Sequence, residues 1–514
     1  MNARLEKKLS VLDLIDEEFI EEAAQGNKMI GKASTAFGAL GRVFSFVGSG
    51  IGAAVSVAVV ALIVIGAIVG PQITEYIKSQ SEQTETTRTE ETTVPHTESD
   101  PGVVNPENVE NGIIKTADEL AWVLENGESD KNYTVKAKKL DLGGLSFGGL
   151  ENYSGVFDFG GCVVSGATSP MFLSVHGGTV KNLVLENCSY EFTTEMAKKK
   201  LFLIDEETNE YAYSPVVCMA TNVTVSNVCI SPSVVINVNM FHGNESYVGG
   251  VIGHAQGSQI LIENCDFRGE LSVSARMVYV GAIAGGVITS NKPVDQYEKI
   301  DNFKVLIQNC VNQGKMTGIK SSNGIMAAGI VAKTRGTAIH HCANYGDICN
   351  NSGNIGGIVT YIAEDASQNN HISECINTGR LYHEGTPMLG ELELFPCIGG
   401  IVAAHSENNL WLENCVNTGE IADRSDDDSR AGIVAFGTEY DGEIMKNCFN
   451  LATACKLFSK IKSYMGETDP TTQLPDATNC ANCNSIDEIF EKLSIACPDV
   501  FVRDGDNIKL AQLS

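Results

Sequence analysis

The stretch LENCVNTGEI, residues 412–421, carries the pattern that decides the fold prediction. In it Cys415, Asn417 and Gly419 stand at alternate positions between two apolar residues. The same pattern returns at Cys310, Asn312 and Gly314, at Cys342, Asn344 and Gly346, and at Cys375, Asn377 and Gly379. Partial copies surround Cys265, Cys448 with Asn450, and Cys480. A repeat with a period of about 32 to 45 residues indicates a solenoid, a propeller or an array.

A second element precedes each copy, and it consists of glycine followed by a short β-branched run. It occurs at residues 249–252, 328–331, 356–359, 399–402 and 431–434. Such a run is typical of a buried strand, and the Cys-centred run alternates like a second strand that leads into a turn. Neither strand buries its apolar face alone. Stacking successive repeats in register is therefore predicted, with parallel sheets around a continuous core in an all-β fold.

The repeated positions have predicted structural roles. Glycine four residues after the cysteine suits a corner with a positive φ, and the asparagine two residues after the cysteine would stack on its equivalents as an amide ladder. Aligning the repeats places Leu183 and Val228 in the cysteine slot. The slot is therefore predicted to be a small apolar position that holds buried thiols, rather than part of a disulfide framework. Cys480, Cys483 and Cys497 could still bind a metal or close a bridge, although one CxxC is a weak zinc signal.

The charge of the chain limits its partners. The 514 residues carry a formal net charge of −28. Nucleic acids are bound largely through Lys and Arg side chains that neutralise phosphates. No nucleic-acid partner is therefore predicted.

The N-terminal part is predicted to anchor the protein in a membrane. Residues 1–42 would be a cytoplasmic segment with a short acidic amphipathic helix. Residues 43–71 are long and apolar enough for a single transmembrane helix. Lys28, Lys32 and Arg42 precede this span, so the positive-inside rule places the rest of the chain outside the cell. An uncleaved signal anchor is favoured over a cleaved signal peptide, and small residues in the span allow helix–helix dimerisation in the membrane.

The rest of the chain divides into three predicted parts. Residues 72–112 are rich in Ser, Thr, Glu and Pro and are expected to be a disordered stalk. Residues 113–484 would form the solenoid, beginning with a helix for which Thr116 and Glu119 form a capping box. This helix is expected to cover the open end of the stack. Residues 485–514, with a helix at their start, are expected to be the C-terminal cap.

The solenoid resembles bacterial surface β-helices of the GLUG-repeat type. The first runs that carry this resemblance are Tyr133-Thr134-Val135, Leu140-Asp141-Leu142-Gly143, Phe157-Asp158-Phe159-Gly160-Gly161 and Gly178-Thr179-Val180-Lys181-Asn182-Leu183. The later Gly-Gly-Ile-Val and Asn-Cys-x-Asn-Thr-Gly elements are similar to the repeats of that family. The sequence departs from the family at Phe159 and in long inserts near residues 190–215 and 288–304. The resemblance implies a right-handed parallel β-helix on a bacterial surface, in an adhesin or another envelope protein, and does not imply an enzyme.

Three groups of polar residues are candidates for chemistry, and each has a simpler explanation. The first, Asp423 and Asp426 to Asp428, lacks the spacing of a calcium loop. The second, His383-Glu384, lacks the second histidine of a metalloprotease helix. The third is a row two residues before the cysteine slot, in which His340 has no carboxylate on its nearest neighbours. A polar exterior explains this row better than paired catalytic carboxylates do. Its members are Glu263, Gln308, His340, Ser373, Glu413 and Lys446.

The sequence therefore predicts a membrane-anchored, single-pass cell-surface solenoid without a cofactor or metal. Its predicted function is non-catalytic, the presentation of an extended surface to an extracellular glycan or protein. The alternative is a carbohydrate-active β-helix enzyme, a polysaccharide lyase or hydrolase. Clustered carboxylates in a cleft would favour the enzyme, and aromatic and polar patches would favour binding.

Overall fold

The computed structural model describes residue 104 and residues 106–511, except for 199–201, 206, 290–298, 322–323, 352, 364–368, 385–387, 390–391, 394–395, 406–408, 423–429, 438–443, 452–456 and 458–475. The predicted segments 1–42 and 43–71, most of the predicted stalk and the acidic loop at 423–428 lie outside the described residues. Among the helices that are described, none combines the length and the apolar character needed to cross a bilayer.

Parallel strands stack in register to form four sheets, numbered here in the order in which the chain meets them within one coil. One coil runs through Val305–Gln308 and Val311–Asn312 of sheet 1, Lys315–Ser321 of sheet 2, Ile325–Ala328 of sheet 3 and Val331–Arg335 of sheet 4. The chain then returns to sheet 1 in the next coil, which pairs with this one in parallel. The predicted all-β architecture of stacked parallel strands is confirmed.

The strands and helices have the following bounds. Sheet 1 contains Ile113–Ile114, Tyr133–Val135, Lys139–Asp141, Val156–Ser165, Thr179–Glu186, Thr224–Ile230, Ile260–Glu263, Asp266–Phe267, Val305–Gln308, Val311–Asn312, Ala338–His340, Ala343–Asn344, Asn369–Ser373, Ile376–Asn377, Asn409–Glu413, Val416–Asn417, Ile444–Lys446, Phe449–Leu451, Asp476–Thr478 and Ala481–Cys483. Sheet 2 contains Ser189–Thr193, Val235–Met240, Glu270–Ala275, Lys315–Ser321, Ile348–Asn350, Leu381–Tyr382 and Ile421–Ala422. Sheet 3 contains Leu203–Asp205, Glu210–Tyr213, Ser246–Gly249, Val278–Gly281, Ile325–Ala328, Ile355–Gly356, Ile398–Gly399 and Arg430–Ala431. Sheet 4 contains Phe172–His176, Val217–Thr221, Ile252–Gly257, Ala284–Thr289, Val331–Arg335, Val359–Ile362, Val402–His405 and Val434–Gly437. Three antiparallel pairs occur among the described residues: Leu203–Asp205 with Glu210–Tyr213 within sheet 3, Met388–Leu389 with Leu392–Glu393, and Phe501–Asp504 with Asn507–Leu510. The α-helices are Pro106–Glu110, Ala117–Asn126, Thr194–Lys198 and Ile486–Ala496, and a 3-10 helix covers Ile300–Asn302.

Sheet 1 bends at the residue that precedes the cysteine, and this residue takes the left-handed backbone conformation. Asn309 has a φ of 53° and Asn414 a φ of 55°. Asparagine is enriched at such positions because its short polar side chain tolerates them. The glycines of the repeat, such as Gly379, are absent from the positive-φ residues of the described chain. The prediction that these glycines occupy a positive-φ corner was therefore wrong.

Close stacking explains the repeated glycine instead. A methyl group on Gly379 would collide with the carbonyl oxygen of Gly346 in the neighbouring coil, and would lie 2.8 Å from Nδ2 of Asn344. On the opposite side of the core, a methyl group on Gly357 would lie 2.7 Å from Cγ of Asn377. Both glycines thus make room for the row of asparagine side chains.

The asparagines two residues after the cysteines form one hydrogen-bonded row inside the core. Asn312, Asn344, Asn377, Asn417 and Asn450 are fully buried. Each amide nitrogen Nδ2 donates to Oδ1 of the asparagine in the next coil, over 2.6 Å from Asn312 to Asn344, 2.7 Å from Asn344 to Asn377, 2.7 Å from Asn377 to Asn417, 2.8 Å from Asn417 to Asn450, and 2.8 Å from Asn450 to Asn482. Because a buried amide without partners is costly, register between coils is strongly specified here.

The sequence analysis predicted that each glycine-opened run is a single buried strand, and this prediction was wrong. Each run spans a corner between two sheets: Ile355–Gly356 ends a strand of sheet 3, and Val359–Ile362 begins a strand of sheet 4. The corner is tight, because a methyl group on Gly356 would collide with the carbonyl oxygen of Val359. Glycine is needed there to let the chain fold back on itself.

The cysteine slot is an inward row of sheet 1. Register places Leu183 beside Val228 in this row, next to the cysteines of the later coils. All fifteen cysteines in the described part of the chain are free thiols. A typical member, Cys375, donates from Sγ to the carbonyl oxygen of Ser373 at 3.2 Å. The thiols therefore act as small core side chains that also bind a backbone carbonyl.

The N-terminal end of the described chain contains one predicted feature and one that was not predicted. Thr116 and Glu119 form the predicted capping box, and the helix buries Leu120 and Leu124 in the main core. The short helix Pro106–Glu110 lies within the segment predicted to be a disordered stalk, and it is ordered because its Val109 is buried in the same core.

The C-terminal segment packs along the side of the solenoid. Ile489 and Leu493 of its helix, and Phe501 and Leu510 of its hairpin, lie in one apolar cluster. The cluster also contains five outward residues of sheet 1, each between a cysteine and an asparagine of the repeat: Val311, Ala343, Ile376, Val416 and Phe449. The segment thus covers an apolar row on the outer surface, over several coils. This lateral packing was not predicted, and capping of the end of the stack stays a prediction.

We expect Gly379→Ala to lower the free energy of unfolding by about 1–3 kcal/mol, because the added methyl group overpacks the contact with the neighbouring coil. Asn309→Gly is the matched comparison, since glycine accepts the positive φ of that position, and should cost less than about 1 kcal/mol. Urea unfolding of both variants measures the difference. Equal costs at the two positions would indicate backbone strain at Gly379 and would refute the close-contact explanation.

We expect Asn377→Leu to cost about 1–3 kcal/mol, because Nδ2 of Asn344 and Oδ1 of Asn417 each lose a buried partner. Asn482→Leu serves as the control, since Asn482 is exposed and ends the row. Its substitution should cost less. Hydrogen exchange should accelerate mainly in the coils that contain Asn344 to Asn417, and acceleration spread evenly over all coils would contradict nearest-neighbour stacking.

Candidate functional site: the histidine face of sheet 1

The row of left-handed residues before the cysteines is broken in two consecutive coils. Most of its members are asparagines, and some bond to each other between coils; Asn447 Nδ2, for example, donates to Asn414 Oδ1 at 2.9 Å. At two positions the row holds His341, with a φ of 52°, and Glu374, with a φ of 53°. Backbone strain of this kind, at residues other than Gly and Asn, often marks a functional site.

Glu374 lies between two histidines of the preceding coil. Its Oε2 is 3.3 Å from Nδ1 of His341 and 3.5 Å from Nε2 of His340. His340 itself belongs to the outward row of sheet 1, two residues before the cysteine slot. Glu374 belongs to the row of left-handed residues, called the turn row below, so this contact joins two rows. The carboxylate side chain is 23% exposed and the His340 side chain 28% exposed. The pair is therefore accessible from solvent.

Ser373 extends this contact on the other side of the imidazole. Its Oγ lies 3.0 Å from Nδ1 of His340. The two residues are register partners in adjacent coils. A continuous chain of polar contacts therefore runs from Ser373 through His340 to Glu374.

Aromatic rings lie next to these polar residues. His371 and Trp411 are register partners, with ring centres 6.3 Å apart and nearly perpendicular rings. Phe303, directly after the 3-10 helix, has its ring centre 6.2 Å from that of His371. The Trp411 indole nitrogen donates to Oε2 of Glu413 at 3.3 Å. We call the surface formed by His340, His371, Ser373, Glu374, Trp411 and Glu413 the histidine face.

The ionisation of this surface follows from its burial and its charges. Burial opposes ionisation of Glu374, but the hydrogen bond from His341 and the nearby charges of His340, His341 and His371 together lower its pKa below the ordinary value. Burial lowers the pKa of His340, and the charge of Glu374 opposes that effect only in part. At neutral pH the carboxylate is therefore ionised and the His340 imidazole is neutral.

The C-terminal segment lies beside the histidine face. Burial, together with the smaller effect of the negative charges of Glu374 and Glu413, raises the pKa of the Cys497 thiol to about 12. Cys497 ends the helix Ile486–Ala496. The histidine face is thus flanked by Phe303 and by this helix end.

The predicted outward row exists, with its members stacked in register. Gln308 Nε2 donates to Glu263 Oε2 at 2.9 Å, and Lys446 Nζ lies 2.8 Å from Glu413 Oε1. The carboxylate beside His340 was missed, because it belongs to another row. The available signal was the residue before each cysteine, which is usually asparagine and is glutamate at 374.

The other predicted candidates are not brought together. His383 is buried, with Nε2 3.0 Å from the carbonyl oxygen of Gly353. Cys480 packs against the main core while Cys483 lies in the C-terminal cluster, so the two face opposite sides of their strand. Within the described part of the chain, no three His, Cys, Asp or Glu side chains are grouped to hold a metal ion.

A second polar cluster lies outside the main core, where sheets 3 and 4 meet. Lys333 Nζ lies 2.9 Å from Glu245 Oε2, 3.1 Å from the Tyr247 hydroxyl and 4.4 Å from the centre of the Tyr279 ring. The rings of Tyr247 and Tyr279 stack with centres 5.3 Å apart and are almost fully buried. Lys333 and Glu245 already pair with each other, so they offer little to a ligand.

Comparison with known proteins adds only a likeness of fold. No protein-family model matches the chain, and no curated protein does. A protein of Bacteroides ovatus, provisionally assigned as an immunoglobulin A1 protease, is 14% identical, with a TM-score of 0.35 over 78% of this chain and 92% of that one. An IgA1 protease is 11% identical, with a TM-score of 0.40 over 79% of this chain and 25% of that one. At these values neither likeness bears on activity, and the GLUG-type resemblance stays a prediction.

We expect the protein to lose stability as the pH falls from 7 to 4. Burial, together with the charge of Lys333, lowers the pKa of His254 to about 4. In this range the unfolded chain binds a proton that the folded chain excludes, so the contribution is present at neutral pH and is lost on acidification, up to roughly 3 kcal/mol. Thermal unfolding of His254→Gln should show a weaker dependence on pH. The exposed His176→Gln is the control, and an identical pH dependence in both variants would rule out this source.

Proposed function

We propose that the protein is a cell-surface β-solenoid that binds an extracellular ligand through the histidine face. The observation that carries this proposal is the meeting of Trp411 and His371 rings with the Glu413 carboxylate and the Ser373 hydroxyl on the outward side of sheet 1. Trp411 and Glu413 are partly exposed there, whereas His371 and Ser373 are almost fully buried. A rigid stack of coils holds these groups at fixed spacing, so little entropy is lost when a ligand binds.

A glycan is favoured over a protein as the ligand. A sugar ring offers a face of C–H groups that packs on an indole, and hydroxyls that bond to carboxylates and imidazoles. The histidine face supplies both kinds of group within adjacent coils.

The anchoring of the protein is proposed from the sequence. Residues 43–71 would form the single membrane span, with residues 1–42 in the cytoplasm and the right-handed β-helix outside the cell. In this arrangement the polar stalk would hold the histidine face away from the membrane. The adhesive role follows from the combination of an anchor with a ligand-binding face.

An enzyme is the second candidate. The contacts from Ser373 through His340 to Glu374 favour it, since a hydroxyl, an imidazole and a carboxylate in sequence are the parts of a nucleophilic site. This contact chain is independent of the indole of Trp411. The two candidates can therefore be tested by different substitutions.

We expect the purified protein to bind a subset of immobilised glycans, and Trp411→Ala to reduce that binding at least about tenfold, because the ring platform is lost. The chain has only two tryptophans. Trp122, 40% exposed on the N-terminal helix, supplies the matched control, and Trp122→Phe should bind like the unchanged protein. This variant also leaves Trp411 as the only indole, so its fluorescence should report ligand binding directly.

Two results would contradict the proposal. Equal binding by Trp411→Ala and the unchanged protein would place the ligand elsewhere. A Trp411 emission that does not change at saturating ligand would do the same.

A further inference from the structure

We propose that the histidine face also hydrolyses carboxylic esters, with Ser373 as the nucleophile, His340 as the general base and Glu374 as the carboxylate that positions the imidazole. This activity goes beyond ligand binding and requires no metal or cofactor. It assigns a role to the two adjacent coils in which the row of left-handed residues holds His341 and Glu374 in place of asparagine.

The distances define the tautomer of His340 that the reaction needs. Ser373 Oγ lies 3.0 Å from Nδ1, and Glu374 Oε2 lies 3.5 Å from Nε2. The proton of a neutral imidazole is favoured on the nitrogen that faces the carboxylate, which leaves the lone pair of Nδ1 directed at the serine hydroxyl. Contacts of this kind are often loose before substrate binds.

The simpler explanation is ordinary stacking of outward side chains. It accounts for the contact between Ser373 and His340, because these residues are register partners like Glu413 and Lys446. It also accounts for the contact between Glu374 and His341, which hold the same row position in adjacent coils. It does not account for the contact between Glu374 and His340, which joins two different rows. A glutamate in the left-handed conformation also costs more backbone energy than the asparagine found in most other coils.

His341 and His340 together hold the carboxylate in place. The carboxylate oxygen Oε2 is within 3.5 Å of both rings, and the His341 ring is almost fully buried. His341 is therefore a second positioning residue. The reactive side chains lie on strands and on a tight turn, which fixes their geometry better than a loop would.

The reaction balances without an oxidant or reductant. The Oγ of Ser373 attacks the ester carbonyl carbon and transfers its proton to Nδ1 of His340, while Glu374 stabilises the resulting imidazolium. The C–O bond to the alcohol then breaks, and the alcohol leaves with the proton from Nδ1. A water molecule attacks the acyl-serine, gives its proton to Nδ1, and the Oγ–acyl bond breaks as Ser373 recovers that proton. The sum is ester and water giving acid and alcohol.

The first test is covalent labelling of the full-length chain with a fluorescent fluorophosphonate, followed by mass spectrometry of the labelled peptide. The expected result is one adduct on Ser373, lost in Ser373→Ala. Ser226→Ala is the matched control, because Ser226 occupies the same outward row and pairs with Glu263 in place of a histidine. It should label like the unchanged protein. Absence of an adduct on Ser373 in the folded, unchanged protein overturns the proposal, whatever the variants do.

The second test is hydrolysis of 4-nitrophenyl acetate as a function of pH. His340→Gln should lower the rate about 10²- to 10⁴-fold, as expected for loss of a general base. Glu374→Gln should move the acid limb of the pH–rate profile to lower pH, since the carboxylate charge favours protonated His340; a purely structural role would leave the limb in place. Hydrolysis that persists in Ser373→Ala at the unchanged rate also overturns the proposal.

These outcomes separate hydrolysis from glycan binding. Trp411→Ala should lose glycan binding and still form the adduct on Ser373. Ser373→Ala should abolish the adduct, and it should weaken glycan binding less than Trp411→Ala does, because it removes one hydroxyl and leaves the indole platform intact. Failure of either proposal therefore leaves a distinct pattern.

Discussion

The structure depends on the in-register stacking of coils at the spacing of one β-sheet, about 4.8 Å. At that distance each side chain meets its equivalent in the next coil, so every position of the repeat becomes a row. The side chains of one row must therefore pack on each other or bond to each other. Thiols fill the apolar slot, amides bond to amides, and glycines lie where the backbones of two coils approach too closely for a methyl group. The sequence repeats because equivalent side chains in adjacent coils have to be compatible with each other.

Rows also explain why a departure from the repeat is informative. Asparagine suits the left-handed turn before the cysteine and bonds to its own equivalents. Replacing it by His341 and Glu374 exchanges the bond between two amides for a bond between an imidazole and a carboxylate, and keeps the left-handed backbone. It also brings a carboxylate to the edge of the outward row, beside His340. A solenoid can build a site in this way by altering one or two rows while the others preserve the stack.

The sequence predicted the features that repeat and missed those that join different rows. The thiol slot and the asparagine row follow from counting positions, since Leu183 and Val228 share a slot with cysteines. The role of Gly379 did not follow, because spacing alone cannot separate a glycine needed for φ from one needed for space. Glu374 was missed because the contact with His340 crosses from one row to another. The packing of the C-terminal segment over the row from Val311 to Phe449 was also missed. The available signal was that this outward row is polar at Asp266 and becomes apolar from its register partner Val311 onward.

The asparagine row has a direction. From Asn312 to Asn450 every amide donates to the asparagine of the next coil, so these five side-chain dipoles point the same way along the axis of the stack. Turning one amide over would set two NH₂ groups against each other on one side and two oxygens on the other. A single reversal is therefore unfavourable at both neighbours, and the row is held in one of two collective orientations. Because aligned bonds polarise one another, the row gives the protein a polar axis similar in origin to that of a helix, though made of side chains.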